Sequence, residues 1–145
     1  MVRQYLLPSL LILVTAAQSF GQSSDWQQRV RYEMEIHVKA DQHRLQGNQE
    51  ITYYNNSPDT LHKIYIHLYY NAFQPHSMMT ERSRQLPDPD SRVVPRIFNL
   101  GPEEFGRYQI NSLAQEGTPL SFDIFDTVLS APLSDPIPPG EATTF

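Results

Sequence analysis

The sequence has no cysteine in 145 residues. That excludes a disulfide framework, a thiolate zinc site and a lipid-anchored cysteine behind a leader. A basic surplus is also missing: 11 Lys and Arg stand against 16 Asp and Glu, a net charge of −5. A surface that tracks phosphates needs excess cation, so nucleic acid is not the expected partner. No apolar run is long enough to span a membrane. Leu6–Val14 is interrupted by Pro8 and Ser9 and falls well short of the roughly 20 residues a spanning helix requires. No His-Glu-x-x-His occurs either, and none of His37, His43, His62, His67 and His76 is followed by Glu. No catalytic and no metal-ligating residue is therefore assigned in this chain.

The first residues read as a leader. Arg3 supplies a positive start, the apolar run follows, and Ala16, Ala17, Ser19 and Gly21 supply small residues for cleavage after Ser19 or after Gly21. Residues 1–21 are accordingly expected to be a signal peptide and the protein to be exported, to the periplasm or outside the cell. Their removal takes away Arg3 and no acid, leaving 10 basic against 16 acidic residues and a net charge of −6.

The remainder, 22–145, is expected to be one all-β domain. Twelve prolines, eight tyrosines and the absence of a long helical period favour strands joined by turns. Val30, Tyr32, Met34, Ile36 and Val38 alternate with Arg31, Glu33, Glu35, His37 and Lys39, which predicts a half-buried strand. Ala40–His43 turns the chain, and Leu45 to Tyr53 continues on one face of a second strand, so 29–39 and 44–55 are expected to form an antiparallel hairpin. Asn55-Asn56-Ser57-Pro58-Asp59 is dense in turn formers. It leads into Leu61–Phe73, where Ile64, Ile66 and Leu68 face one way and Tyr65, His67 and Tyr69 the other. Both faces are expected to be partly covered, which makes this stretch the expected inner strand, paired with the hairpin before it.

From residue 71 to residue 102 the pattern breaks at Pro75, Pro87, Pro89, Pro95 and Pro102, and a long irregular loop is expected there. Periodicity resumes at Tyr108, Ile110 and Leu113. Gln115-Glu116-Gly117-Thr118 marks a turn, and Leu120, Phe122, Ile124, Val128 and Leu129 return from it as a second hairpin. Pro136–Gly140 reads as a rigid turn and Ala142–Phe145 as the start of another strand. A sheet left on those residues would be unfinished, so the domain is expected to be incomplete at its C-terminal end.

In their order these features resemble the N-terminal domain of the aminopeptidase N family of zinc metallopeptidases, especially exported bacterial members. The residues that carry the likeness are Trp26, Tyr32-x-Met34-x-Ile36, Tyr53-x-Asn55-Asn56-Ser57-Pro58-Asp59-Thr60-Leu61, His67-Leu68-Tyr69-x-Asn71-Ala72-Phe73 and the Pro-Gly turn before the final run. The resemblance implies a saddle-like antiparallel β-sandwich that packs against a downstream thermolysin-like catalytic domain and walls its cleft. It also implies zinc and peptide substrate for the full-length parent only. The family's Gly-x-Met-Glu-Asn segment is absent, as is its zinc helix.

Weaker constellations complete the reading. Arg82, Arg84, Arg92 and Arg96 crowd the long loop and, with Tyr69 and Phe73, are the candidate contacts to a neighbouring domain, since guanidinium holds carboxylates bidentately. Asp88-Pro89-Asp90 spaces two carboxylates but offers no further oxygen ligands for calcium. His37 and His67 are too few for a metal site. An alternative function is a free-standing secreted β-sandwich binding glycan or protein, with Tyr65, Tyr69, Tyr70 and Phe73 as a stacking surface.

Overall fold

The computed structural model describes residues 26–86, 90 and 96–145. The leader at 1–21, Asp88-Pro89 and Arg92 lie outside the described residues. The strands in chain order are β1 (Arg29–Lys39), β2 (Arg44–Tyr54), β3 (Leu61–His67), β4 (Ala114–Gln115), β5 (Thr118–Pro119), β6 (Asp123–Phe125), β7 (Val128–Ile137) and β8 (Ala142–Thr144). They form two three-stranded antiparallel sheets, ordered β1-β2-β8 and β3-β7-β6, and a small β4-β5 ribbon. Among the described residues one α-helix, α1 (Met78–Gln85), lies between β3 and β4. The fold is mostly antiparallel β-structure, as the composition indicates.

The alternation of β1 sets its hairpin with β2. The two strands pair without interruption from Arg29↔Tyr54 to Lys39↔Arg44. Between them a 3-10 turn at Ala40–Gln42 closes on His43, which adopts φ 51 and donates its N–H to the Ala40 carbonyl at 3.3 Å. β8 then adds to the other edge of β2 at Thr52–Tyr54. Ile51 and Phe145 exchange both backbone hydrogen bonds at 2.9 Å.

The stretch from Leu61 to Phe73 departs from expectation in four ways. The strand ends at His67, and Tyr69–Phe73 is a 3-10 turn instead. The strand pairs with β7 and not with the preceding hairpin. It also lies at the edge of its sheet, with β7 in the middle. Only one of its faces is covered: Ile64 is buried, whereas Tyr65, on the opposite face, is 67% exposed. In the 3-10 turn that follows, Asn71 is drawn inward, its side chain donating to the Asp126 carbonyl at 3.1 Å and accepting from the Tyr108 N–H at 2.8 Å.

The central strand β7 is the element that periodicity divides between a hairpin and a turn. Val128 and Leu129, read as the end of the second hairpin, begin β7, after a two-residue turn in which Asp126 has φ 53. The predicted turn at Glu116-Gly117 does exist, with φ 47 and 79, but the strands it joins have two residues each. β7 contains Pro132 and Pro136, which remove donors from the ladder. Its pairing with β3 jumps from Lys63↔Pro132 to Leu61↔Ile137, so Leu133–Pro136 bulge away from the ladder. The buried Gln115 side chain stands in for the missing strand: its Oε1 accepts from the N–H groups of Ser134 (2.9 Å) and Asp135 (3.1 Å), and its Nε2 donates to the Asp135 carbonyl (2.8 Å). The rigid turn is displaced to Pro138–Glu141, where Gly140 at φ 79 and the Glu141 N–H to Pro138 carbonyl bond (3.2 Å) give a type II turn.

Within the expected irregular loop, α1 fits between Pro75 and Pro87. Ser77 caps it, its Oγ accepting from the Thr80 N–H at 3.1 Å. The apolar core is small and lies on one face of the second sheet: Ile64, Leu68, Leu129 and Ala131, flanked by Ile66, Ile110, Leu113, Leu120, Phe122, Leu133 and Phe145. Phe145 thus joins the two sheets, bonded to β2 through its backbone and packed against this core.

Asn55 is fully buried and its side chain is saturated. Nδ2 donates to the carbonyls of Asp59 (2.7 Å) and Ile137 (2.8 Å), and Oδ1 accepts from Gln28 Nε2 (3.1 Å), Ser57 N–H (3.1 Å) and Ser57 Oγ (2.6 Å). Truncating it strands several buried partners, so Asn55→Ala should lower the urea unfolding free energy by about 3 kcal/mol. The neighbouring Asn56, exposed and bonded through its side chain only to the Gln27 carbonyl at 2.7 Å, should lose about 1 kcal/mol or less on the same change.

Candidate functional site

The most distinctive surface is the β1–β2 ribbon. Beyond the short stretch covered by β8, every residue from 31 to 50 is exposed. Strand alternation puts Tyr32, Met34, Ile36 and Val38 on one face, with Leu45 across from Val38. These five side chains are between 53% and 71% exposed. A patterned apolar face of this kind is normally buried against another layer. The opposite face is charged. Arg31 is ion-paired with Glu33, His37 lies 3.7 Å from Glu35, and Lys39 donates to Gln46 at 3.1 Å.

A cavity of about 640 Å³ lies where β2 runs on past Phe145. Its walls include Glu33, Glu35, Glu50 and Glu116 as well as Phe145. Glu116 is tied to the end of the sheet, accepting from Thr144 N–H at 2.6 Å and Thr143 Oγ1 at 3.1 Å. A smaller cavity of about 360 Å³ sits beside the start of α1, where Asp126 Oδ2 accepts the Met78 N–H at 3.2 Å.

The second surface is aromatic. Tyr65 and His67 share the solvent face of β3, and the Tyr69 ring stacks on His67 with centroids 5.3 Å apart and an interplanar angle of 14°. Tyr69 is 72% exposed. Tyr70 tilts against Tyr108 at 5.5 Å, and Phe73 borders solvent in the same 3-10 turn. Of the loop arginines, Arg82 and Arg84 lie on α1 and Arg96 precedes the 3-10 turn Ile97–Asn99, which packs on that helix. Arg84 is already engaged with Glu81 at 2.9 Å. Arg82 and Arg96 are exposed. Tyr69, Tyr70, Phe73, Arg82, Arg84 and Arg96 therefore belong to the segment that leaves β3. The ribbon face was legible as alternation, but its exposure was not.

The zinc that the family resemblance implies has no fitting residues here. His37 lies on β1, His62 and His67 on β3, and His43 and His76 in turns with positive φ. His37 and His67 are in different sheets, and His76 is 3.7 Å from Glu81. Among the described residues no three His, Asp or Glu side chains converge on a common point. No reaction step is derived through a metal. Comparison with protein-family models, curated proteins and solved structures returns no match.

Burial raises the Tyr53 phenol above its ordinary value of 10.0. The folded state therefore holds this proton more tightly than the unfolded chain. Its effect on stability is nil well below pH 10.0 and becomes a loss as pH rises through that value. Urea midpoints measured across this range should fall more steeply for the parent chain than for Tyr53→Phe. Equal slopes would mean that the phenol titrates alike in both states.

Proposed function

We propose that this chain is the non-catalytic N-terminal portion of an exported zinc metallopeptidase of the aminopeptidase N type. In this reading its sheets belong to a β-sandwich that packs against a downstream catalytic domain of the same polypeptide and shapes the active-site cleft. The observation that carries the reading is the apolar face of Tyr32, Met34, Ile36, Val38 and Leu45, exposed along a hairpin of two 11-residue strands. So much patterned apolar surface on one face calls for a covering layer, and a neighbouring domain supplies one. Exposed Arg82 and Arg96, with Tyr69 and Phe73, add charged and aromatic contacts of the kind that interdomain surfaces use. Zinc would be held by His-Glu-x-x-His in the catalytic domain. The role of the present residues is support and steric exclusion.

The test is to read the gene beyond the codon for Phe145 and assay its product. An open frame through Gly-x-Met-Glu-Asn and His-Glu-x-x-His is expected. Its product should release amino acids from aminoacyl anilides in a chelator-sensitive manner, while the 145-residue chain alone should release none. A frame that lacks both motifs removes the peptidase reading.

The row of Tyr65, His67 and Tyr69 favours a second reading, a secreted module that stacks sugars on its rings. Retention of the chain on an insoluble polysaccharide, weakened about tenfold by Tyr69→Ala, would support it. Identical elution of parent and variant would count against it.

A further inference from the structure

The outer edge of β1 carries information that the peptidase reading does not use. Ile51 directs both its N–H and its C=O toward Phe145. By strand alternation, Thr52 and the other even-numbered residues of β2 then face β1, and they oppose Arg31, Glu33, Glu35, His37 and Lys39. Val30, Tyr32, Met34, Ile36 and Val38 consequently aim their backbone N–H and C=O groups away from β2, at the outer edge. Among the described residues, β1 has no second neighbour strand. The edge is 11 residues long, its register with β2 is uninterrupted, and it contains no proline. It lacks a bulge or proline to blunt it, and a two-stranded ribbon is only marginally stable in water by itself.

We propose that the occupant of this edge is β1 of a second copy of the chain, paired antiparallel about a two-fold axis at Ile36. In that register Ile36 faces Ile36, and Met34 faces Val38, with outward backbone groups meeting outward backbone groups. On the other face Glu33 meets Lys39 and Glu35 meets His37, each twice by symmetry. Within its own chain Lys39 has the neutral Gln46 amide at 3.1 Å, so the pairing brings it a carboxylate.

An axis at His37 matches Glu35 with Lys39 but leaves Arg31 and Glu33 outside the paired segment, and shifts of the axis toward Arg29 by one or two residues are opposed by charge. An axis at Glu35 sets Glu35 against itself and Arg31 against Lys39. An axis at Met34 sets Glu33 against Glu35 and Arg29 against Lys39. Like charges directly opposite destabilise a strand pair. An axis at Tyr32 would match Arg29 with Glu35 and Arg31 with Glu33, but Arg29 lies 3.7 Å over the Tyr54 ring. That register also leaves Lys39 outside the paired segment. The result of pairing about Ile36 is a four-stranded sheet, β2-β1-β1-β2, whose two apolar rows merge into one continuous face. This inference concerns the edge of the ribbon and stands independently of what covers its face.

Sedimentation equilibrium of the purified chain tests it. The parent should be a dimer. Glu33→Lys and Lys39→Glu should each raise the dimer dissociation constant about tenfold or more, and the combined charge swap should restore it. Circular dichroism should be unchanged throughout, since Glu33 and Lys39 are exposed. The chain has no cysteine, so Ile36→Cys gives a unique thiol that should cross-link to its own copy with a short bis-maleimide, faster than Tyr32→Cys. A monomeric parent, a dimer indifferent to Glu33→Lys, or preferential cross-linking at Tyr32→Cys would each overturn the proposal.

Discussion

The buried amide of Asn55 is the interaction on which the rest of the molecule depends. It sits at the end of β2, immediately before the turn to β3, and reaches the carbonyl of Ile137 at the end of β7. Its backbone takes part as well: the N–H donates to Glu141 (2.8 Å) and the carbonyl accepts from Gly140 (2.7 Å). One residue thus fixes where the first sheet ends, where the second begins and how the Pro-Gly turn presents β8. An amide removed from water is costly unless its groups are paired. Every polar atom of this side chain has a partner, so the junction is specified by hydrogen bonding more than by apolar burial.

The same device recurs. Gln115 completes the backbone of β7 where Pro132 and Pro136 interrupt the ladder, and Asn71 holds the 3-10 turn against the Asp126 and Tyr108 segments. Three buried amides do work that longer strands would do in a larger sheet. Their abundance matches the small core, in which Ile64, Leu68, Leu129 and Ala131 are the buried members. A core of that size stabilises only its own neighbourhood. The distal ribbon of β1 and β2 lies beyond its reach, and that physical imbalance makes the ribbon the natural place to look for partners. Its face suits a covering layer, and its edge suits another strand.

The family resemblance and the ribbon are separate lines of argument. The resemblance rests on the order of strand and turn motifs, whereas the ribbon argument rests on exposed alternating apolar residues. The histidines are dispersed over β1, β3 and turns, and the acidic wall of the larger cavity consists of glutamates without a converging third ligand type.

Local pattern alone determined the hairpin of β1 and β2, the turn at Asn55–Asp59 and the Glu116-Gly117 turn. Each of these depends on period-two alternation or on residues with strong turn chemistry, and such signals act within a few residues. The tertiary structure decided what pairs with what. β7 could not be found from sequence because two prolines disguise it as a loop, and only the Gln115 side chain, 19 or 20 residues away, makes the strand possible. β3 looked central because its two faces alternate cleanly, yet among the described residues its one neighbouring strand is β7. The aromatic candidates Tyr69 and Phe73 were legible as residue types, whereas their positions follow from the 3-10 turn that the buried Asn71 side chain anchors. Long-range hydrogen bonds to buried amides made those choices, and they leave no periodic trace in the chain.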